Sequence, residues 1–227
     1  MDLLHHWGLI ARLFGVLGTN LVLSGDNAVV IAMAAHRLRG SMRRKAIIWG
    51  AAGAVGLRLV FALLIAMLIA IPFLRAVGGV VLFWIAWRLV REDAGASAGE
   101  VKAGEGVWDA VKIIVVADAA MSLDNVIALV GVSGGNLWIL GAGLVLTVPP
   151  VIWGSSLLSV LLDRWPWLAY AGAALLAWIA LEMILQDPAL RDLLPDLSAL
   201  VEAAVKLIGT LAFVAATWWA QRARFAR

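Results

Sequence analysis

Long apolar runs follow one another along almost the whole of this 227-residue chain. A helix needs about 20 mostly apolar residues to cross the hydrocarbon core of a bilayer. Seven runs have that character, at 8–34, 46–70, 73–91, 108–132, 137–161, 168–186 and 199–220. The chain is 63% hydrophobic and only 15% charged, whereas soluble domains are nearer half apolar and a quarter charged. The sequence therefore predicts an all-α membrane protein with seven transmembrane helices.

Two short segments inside the first and fourth runs resemble each other. Residues 24–27 read Ser-Gly-Asp-Asn, residues 122–125 read Ser-Leu-Asp-Asn, and the same shift of 98 positions places Asn20 on Asp118. An ionised Asp in the middle of a spanning helix costs about 2.5–3.5 kcal/mol and by default marks a functional site. The matching segments predict one buried polar site built from two related halves.

A second match extends this repeat to three spans. With a shift of 94, residues 72–86 align with residues 166–180 at seven identities in fifteen positions, including a Trp-Ile-Ala tripeptide. A unit with an odd number of spans ends on the opposite face of the membrane, so its second copy must be inverted. We predict an inverted 3+3 repeat plus one additional helix: residues 1–92, a cytoplasmic linker at 93–106, the inverted repeat at 107–187, and 188–227 with the seventh helix and a basic tail.

The basic residues predict how the chain is oriented. With the amino terminus outside and the carboxyl terminus in the cytoplasm, thirteen of them lie on or near the cytoplasmic side, which agrees with the positive-inside rule. They are Arg37, Arg39, Arg43, Arg44, Lys45, Arg88, Arg91, Lys102, Lys112, Arg164, Arg222, Arg224 and Arg227. The net charge of +3 therefore reflects membrane topology, and we expect no nucleic-acid partner.

The predicted site residues fall on two helical faces. Asn20, Ser24 and Asn27 share one face of a regular helix, and Asp118, Ser122 and Asn125 share another. The carboxylates at 26 and 124 would project about 100° away from those faces if both helices were regular. Gly25 is a weak point at which a helix could unwind and bring these groups together.

The donor atoms of this set are all oxygen. Such ligands suit a hard divalent cation such as Mn²⁺, Mg²⁺ or Ca²⁺, which we expect as a transported ion and not as a resident cofactor. The candidate metal ligands are Asp26, Asp118 and Asp124, Asn20, Asn27 and Asn125, and Ser24 and Ser122. The chain has no cysteine, which excludes thiolate metal sites and disulfides. Interhelical hydrogen bonding would by itself account for Asn20, Ser24 and Ser122.

Charge arithmetic suggests how transport would be driven. Three ionised carboxylates exceed one divalent cation by one negative charge, so an empty site should hold at least one proton, and protons are the expected counter-substrate. The roles of two further residues are left open by the sequence. Arg58, inside the second run, is either a counter-ion for the carboxylates or a residue that snorkels toward the interface, and Thr147 is a further possible source of a site oxygen.

These motifs resemble the TerC family of integral membrane proteins, especially its short, YjbE-type bacterial members. The resemblance rests on Ser-Gly-Asp-Asn in the first span, on Asp118 and the Asp124-Asn125 pair in the fourth, and on the basic first inner loop. It implies a multi-pass protein of the bacterial inner membrane, related to the LysE exporter superfamily, that exports Mn²⁺. Some relatives carry an acid at the position of Asn20, so the site here carries less charge.

Other functions fit parts of the pattern. Export of amino acids or other organic cations would need a roomier pocket. A membrane assembly partner that does not transport would leave the buried acids without a purpose. No nucleophile or metalloprotease motif lies in the spans, so we do not expect an enzyme. Besides the metal ion, protons and the lipid bilayer are the expected partners, and the oligomeric state is left open.

Overall fold

The chain is helical wherever the computed structural model describes it, apart from short turns, and the described residues are 2–93, 105–193 and 198–225. Helices suit a membrane chain because each satisfies its own backbone hydrogen bonds. They are α1 (Asp2–Leu23), α2 (Gly25–His36), α3 (Gly40–Ile69), α4 (Leu74–Asp93), α5 (Glu105–Ser133), α6 (Leu137–Arg164), α7 (Trp167–Leu185), α8 (Pro188–Arg191) and α9 (Ala199–Phe225). Most of the predicted linker, residues 94–104, lies outside the described residues.

Each predicted apolar run coincides with a helix or, for the first run, with the α1–α2 pair. In the described chain, α3, α5, α6, α7 and α9 are long and apolar enough to cross a membrane, and α1 with α2 makes a sixth candidate if the bent pair counts as one span. Helix α4 is less apolar because Arg75, Arg88 and Arg91 lie within it. The protein is therefore an all-helical membrane protein with five or six candidate spans, and the predicted count of seven is not reached.

The outer surface of the helices is apolar. Trp138 is 89% exposed and Leu200 is 83% exposed, and Val22, Leu63 and Trp153 are also exposed. A soluble monomer rarely exposes large apolar side chains over so much of its surface. This surface is suited to contact with lipid chains, as the composition predicts.

The first span is broken at Ser24. Helices α1 and α2 meet there at an angle of 51°, next to Gly25, as the weak point in the sequence predicts. The Asn27 side chain stabilises the break by donating its amide N–H to the Leu23 carbonyl at 3.2 Å. Helix α5, in contrast, runs unbroken through 122–125, where Leu123 takes the place of Gly25. The two related segments therefore have different backbone conformations.

Close helix packing surrounds this break. A methyl group added at Gly143 of α6 would lie 2.4 Å from Val16 Cγ1 of α1, and one added at Gly50 of α3 would lie 2.5 Å from Ile114 Cδ1 of α5. Small residues at such positions let the backbones of membrane helices approach each other. The glycines hold α1 against α6 and α3 against α5 around the polar residues of the interior.

Candidate cation site

Six polar side chains from five segments meet in the interior. They come from α1, the break after it, α3, α5 and α6, and none is more than 4% exposed. We call them the central cluster: Asn20, Ser24, Arg58, Asp118, Ser122 and Thr147. The helical spacing of four residues brings Ser24 below Asn20 and Ser122 below Asp118, as the sequence predicts.

The guanidinium group of Arg58 lies at the centre of this cluster. Its Nε donates to Asp118 Oδ2 at 3.2 Å and to Ser122 Oγ at 3.4 Å. Its Nη1 donates to Asn20 Oδ1 at 2.9 Å and to Ser24 Oγ at 3.4 Å, and its Nη2 donates to Asp118 Oδ1. The sequence left two roles open for Arg58, and its ion pair with Asp118 shows that it is a counter-ion for a carboxylate.

The other polar groups of the cluster bind one another. The Asn20 amide N–H donates to Thr147 Oγ1, and the Thr147 hydroxyl donates to the Leu144 carbonyl at 2.7 Å. The Ser122 hydroxyl donates to Asp118 Oδ2 at 2.9 Å. These bonds fix the orientation of the Asn20 amide, so that its oxygen faces Arg58. Thr147, which the sequence indicated only weakly, is thus a full member of the cluster.

Asn27 has an open hydrogen-bond acceptor beside the cluster. The residue is 5% exposed, and among the described residues its Oδ1 has no hydrogen-bond partner. A buried acceptor left unsatisfied costs about 1–3 kcal/mol, so natural proteins seldom leave one without a reason. Asn27 lines a cavity of about 20 Å³ together with Asn20, Ser24 and Asp118. A cavity of that size holds one water molecule or one bare metal ion.

Asp26 lies next to this cavity without lining it. Its Oδ1 accepts a hydrogen bond from the Asn27 backbone N–H at 2.8 Å. Its half-buried carboxylate also feels the charges of Arg58 and Asp118. Asp26 is therefore an acid near the cluster that belongs neither to its hydrogen bonds nor to the lining of the cavity.

Asp124 lies apart from the central cluster. Its side chain is 48% exposed and forms an ion pair with Arg75 of α4. Because α5 is regular, Asp124 is displaced from Asp118 by about 9 Å along the axis and by about 120° around it. The predicted site with three carboxylates is therefore not assembled in this structure. In the described chain, no group of three or more His, Cys, Asp or Glu side chains could hold a metal ion.

Comparison with known protein families agrees with the helical membrane architecture described above. The family model for the integral membrane protein TerC family matches residues 5–224. This chain belongs to the TerC family. Three relatives from Bacillus subtilis (strain 168), all described as uncharacterized membrane proteins, are similar to it. YjbE is 41% identical over 178 residues, covering 78% of this chain and 81% of the relative.

The other two relatives are more distant. YkoY is 26% identical over 229 residues, covering 90% of this chain and 69% of the relative. YceF is 29% identical over 185 residues, covering 78% of this chain and 70% of the relative. No solved structure matches the chain. Membership of the family therefore rests on sequence similarity, which extends over residues 5–224.

A second cavity in this TerC protein lies on the other side of the Arg58–Asp118 pair. It has a volume of about 250 Å³ and is lined by the turn at Ile69–Arg75, by Leu123 and Ile127 of α5, and by Asp187. Along α3, the small cavity is lined by residues at 51–58 and the large one begins at Ile69, so the two are separated by about 16 Å of helix. Arg75, which lines the large cavity, is the partner of Asp124.

The predicted ligands of the TerC protein thus fall into two groups. Four of them, Asn20, Ser24, Asp118 and Ser122, belong to the central cluster, and Asn27 and Asp26 adjoin it. Asn125 is buried on the same face of α5 as Asp118, outside the lining of the cavity. Sequence reasoning missed the ion pair of Asp124 with Arg75, for which the one signal was an arginine near the start of the third apolar run.

Proposed function

We propose that this TerC protein is a secondary transporter that exports a divalent metal cation, with Mn²⁺ as the favoured ion, through the central cluster. The observation that carries the proposal is the unpartnered Asn27 Oδ1 beside a cavity the size of one ion. Asp118 supplies a buried carboxylate to the same cavity, and Asn20 supplies an amide. Hard divalent cations take carboxylate and carbonyl oxygens, and Mn²⁺ is among them. Ca²⁺ and Mg²⁺ are alternative substrates.

Proton antiport is the coupling that we propose. Moving a divalent cation out against an inside-negative potential costs about 4.6 kcal/mol per 100 mV, twice the value for one charge, so export needs a driving ion. With both acids ionised, the charges of Asp26, Asp118 and Arg58 would sum to −1 in the empty site. One proton would neutralise that charge after the metal leaves. Asp26, which is half-buried and outside the ion pair, is the proposed carrier of this proton.

We further propose that the two halves of the chain are inverted repeats, as the sequence predicts. The packing of the helices supports this. In the predicted repeat, the α1–α2 pair corresponds to α5, and α3 corresponds to α6. Helix α3 packs along α5, and the α1–α2 pair packs along α6, so the two contacts are equivalent if the halves are exchanged. The contact of α4 with α5 and that of α2 with α7 correspond in the same way. Substrate sites in folds of this kind lie where the repeats meet near the midplane.

The proposed location is the bacterial inner membrane, with the amino terminus outside. The support is the set of basic residues at one end of the helices. At that end Arg43 of α3 binds Asp163 of α6 at 2.7 Å and the His36 carbonyl of α2 at 2.6 Å. The second cavity then opens toward the outside and the small one lies toward the cytoplasm. Attachment of a reporter domain to either terminus would test this orientation.

A transport assay tests the proposal. The full chain in proteoliposomes should carry Mn²⁺, and replacement of a ligand should lower the flux about 10- to 100-fold. The first variant is Asn27→Leu, which removes the open acceptor at nearly constant volume and leaves the Arg58–Asp118 pair intact. The matched control is Asp109→Asn, because Asp109 is an exposed acid at the start of α5. If Asn27→Leu carries Mn²⁺ at the rate of the wild type, the proposed site is wrong.

A second candidate substrate is an organic cation with a guanidinium group. The observation in its favour is that the central cluster already holds the guanidinium of Arg58. The volume of the small cavity, about 20 Å³, argues against a whole amino acid in this conformation. The same proteoliposomes, loaded with labelled arginine or lysine, separate the two candidates. We propose a transporter in either case, and not an enzyme.

A further inference from the structure

Arg58 binds the oxygen atoms that a metal ion would need. Its three guanidinium nitrogens donate to both carboxylate oxygens of Asp118 and to the side-chain oxygens of Asn20, Ser24 and Ser122. These four residues are the members of the predicted ligand set that belong to the central cluster. The planar fork of an arginine is the side chain best suited to satisfy several such acceptors at once. The cluster is therefore already occupied by a cation, one that belongs to the protein.

A metal ion and this guanidinium compete for the same atoms. Asp118 Oδ2 already accepts from Arg58 Nε and from the Ser122 hydroxyl, and Oδ1 accepts from Arg58 Nη2, so the carboxylate has little capacity left for a metal. A metal ion beside the guanidinium would also be repelled by its positive charge. Asp118, with a side chain only 5% exposed, also requires a positive partner in every state of the protein. Either Arg58 or the substrate can supply it.

We propose that Arg58 is a tethered counter-cation that alternates with the substrate at Asp118. The proposal rests on the proposed function and concerns the regulation of the same site. In the empty protein Arg58 closes the cluster and neutralises Asp118. A divalent cation displaces it, and Arg58 returns when the cation leaves. Because the empty site is neutralised in this way, the unloaded protein can change conformation without an unpaired buried charge at Asp118.

The surroundings of Arg58 give its side chain a direction in which to move. Ala54 and Ala51 lie four and seven positions before it on the same face of α3, and both line the small cavity. Side chains on a helix lean toward its amino-terminal end. Neither position carries a side chain larger than a methyl group, so the guanidinium can withdraw from Asp118 along this face once the helices around the small cavity move apart.

This arrangement also defines the class of substrate. A monovalent ion such as Na⁺ or K⁺ brings the same charge as Arg58 but forms no directional hydrogen bonds, so it gains nothing by displacing the guanidinium. A divalent cation brings twice the charge to Asp118. The tethered arginine therefore selects divalent over monovalent cations, in addition to any selection by the ligand oxygens.

The first test measures binding of Mn²⁺ to the purified full chain in detergent. In the wild type, Arg58 is mostly paired with Asp118, and only the small fraction of molecules in which this pair is open can bind Mn²⁺. The apparent affinity is lowered by that fraction, so Arg58→Gln should bind Mn²⁺ about tenfold more tightly. In this variant Na⁺ should also become a competitor. Arg43→Gln is the control, since Arg43 forms an ion pair with Asp163 at the end of α6 and should leave the affinity unchanged. Unchanged or weaker binding by Arg58→Gln overturns the proposal.

The second test separates net flux from exchange in proteoliposomes. In Arg58→Gln the metal still neutralises Asp118 when the site is loaded, so the exchange of labelled for unlabelled Mn²⁺ should stay within about threefold of the wild type. The empty variant has no partner for Asp118, so net efflux should fall about tenfold or more. A residue that only supports the fold would lower both rates together, and that result overturns the proposal, as does a variant that retains both. If the wild type shows neither flux nor exchange, the proposed function fails and not merely the role of Arg58.

Arg58→Lys serves if Arg58→Gln does not fold. Lysine keeps the charge, but its ammonium group cannot satisfy all the acceptors that the guanidinium holds. Binding of Mn²⁺ to Arg58→Lys should be about threefold tighter than in the wild type, with net efflux retained. An affinity equal to or lower than that of the wild type contradicts the proposal.

Discussion

The Arg58 guanidinium and the Asp118 carboxylate form a two-point ion pair between α3 and α5, with side chains only 4% and 5% exposed. A charge buried to this degree is tolerated only with a partner, so each residue depends on the other. The pair joins the two halves of the chain at the point where their related segments meet. Its stability and its opening therefore connect the fold with the proposed transport.

The first prediction concerns the stability of this pair. Asp118→Asn leaves the Arg58 charge buried without a counter-ion and should lower the free energy of unfolding by about 3–5 kcal/mol. The double variant Arg58→Gln with Asp118→Asn removes both charges and should recover most of that loss. Thermal unfolding of the purified chain in detergent measures both. Equal losses in the single and the double variant would show that the two charges do not depend on each other.

The second prediction compares the two acids at the matching position of the related segments. Asp26 lies near Arg58 and Asp118, whereas Asp124 is exposed and paired with Arg75. We expect Asp26→Asn to lower Mn²⁺ flux about tenfold or more, and Asp124→Asn to have a clearly smaller effect. Transport assays on the two variants, side by side, measure the difference. An equal loss in both would indicate that Asp124 enters the site in another conformation of the transport cycle.

The third prediction concerns the break in the first span. Nothing lies within 4 Å of a methyl group added at Gly25, so Gly25→Ala fits and should favour a continuous helix by about 1 kcal/mol. We expect an unchanged or higher melting temperature together with lower Mn²⁺ binding, because a straightened helix would move Asn27 away from the cavity. Gly18→Ala is the control, since Gly18 is equally unobstructed on α1. If Gly25→Ala binds Mn²⁺ like the wild type, the break is not required for the site.

The fourth prediction concerns the contact of α1 with α6. A methyl group at Gly143 would lie 2.4 Å from Val16 Cγ1, so Gly143→Ala should force the helices apart and cost about 1–3 kcal/mol of stability. Gly154→Ala, on the same helix with open space around it, should leave stability unchanged or raise it by up to about 1 kcal/mol. Unfolding measurements on both variants distinguish tight packing from a general effect of alanine. Similar stabilities would show that the contact is looser than described.

The positions of the helices follow closely from the sequence. Their bounds coincide with the apolar runs because a bilayer admits a spanning backbone only as helices or closed barrels. The number of spans does not follow in the same way, because α4 carries Arg75, Arg88 and Arg91, and hydropathy alone does not decide where such a helix lies. The break at Ser24 was also indicated, since Gly25 weakens a helix locally.

The site was predicted only in part. Periodicity correctly brought Asn20 together with Ser24, and Asp118 with Ser122, because spacing along one helix depends on that helix alone. The position of Asp124 depended on whether α5 unwinds. Leu123 supports a regular helix where Gly25 does not, so Asp124 projects away from the cluster and pairs with Arg75.

From the sequence alone it follows that this chain is a helical membrane protein and which of its polar residues share a helical face. These are properties of single segments and of their transfer into the bilayer. Only the tertiary structure decided that Arg58 lies among the predicted ligands, that Thr147 joins them, and that Asn27 keeps an open acceptor. Those relationships depend on the distance and rotation between helices far apart in the chain, which no local pattern of residues specifies.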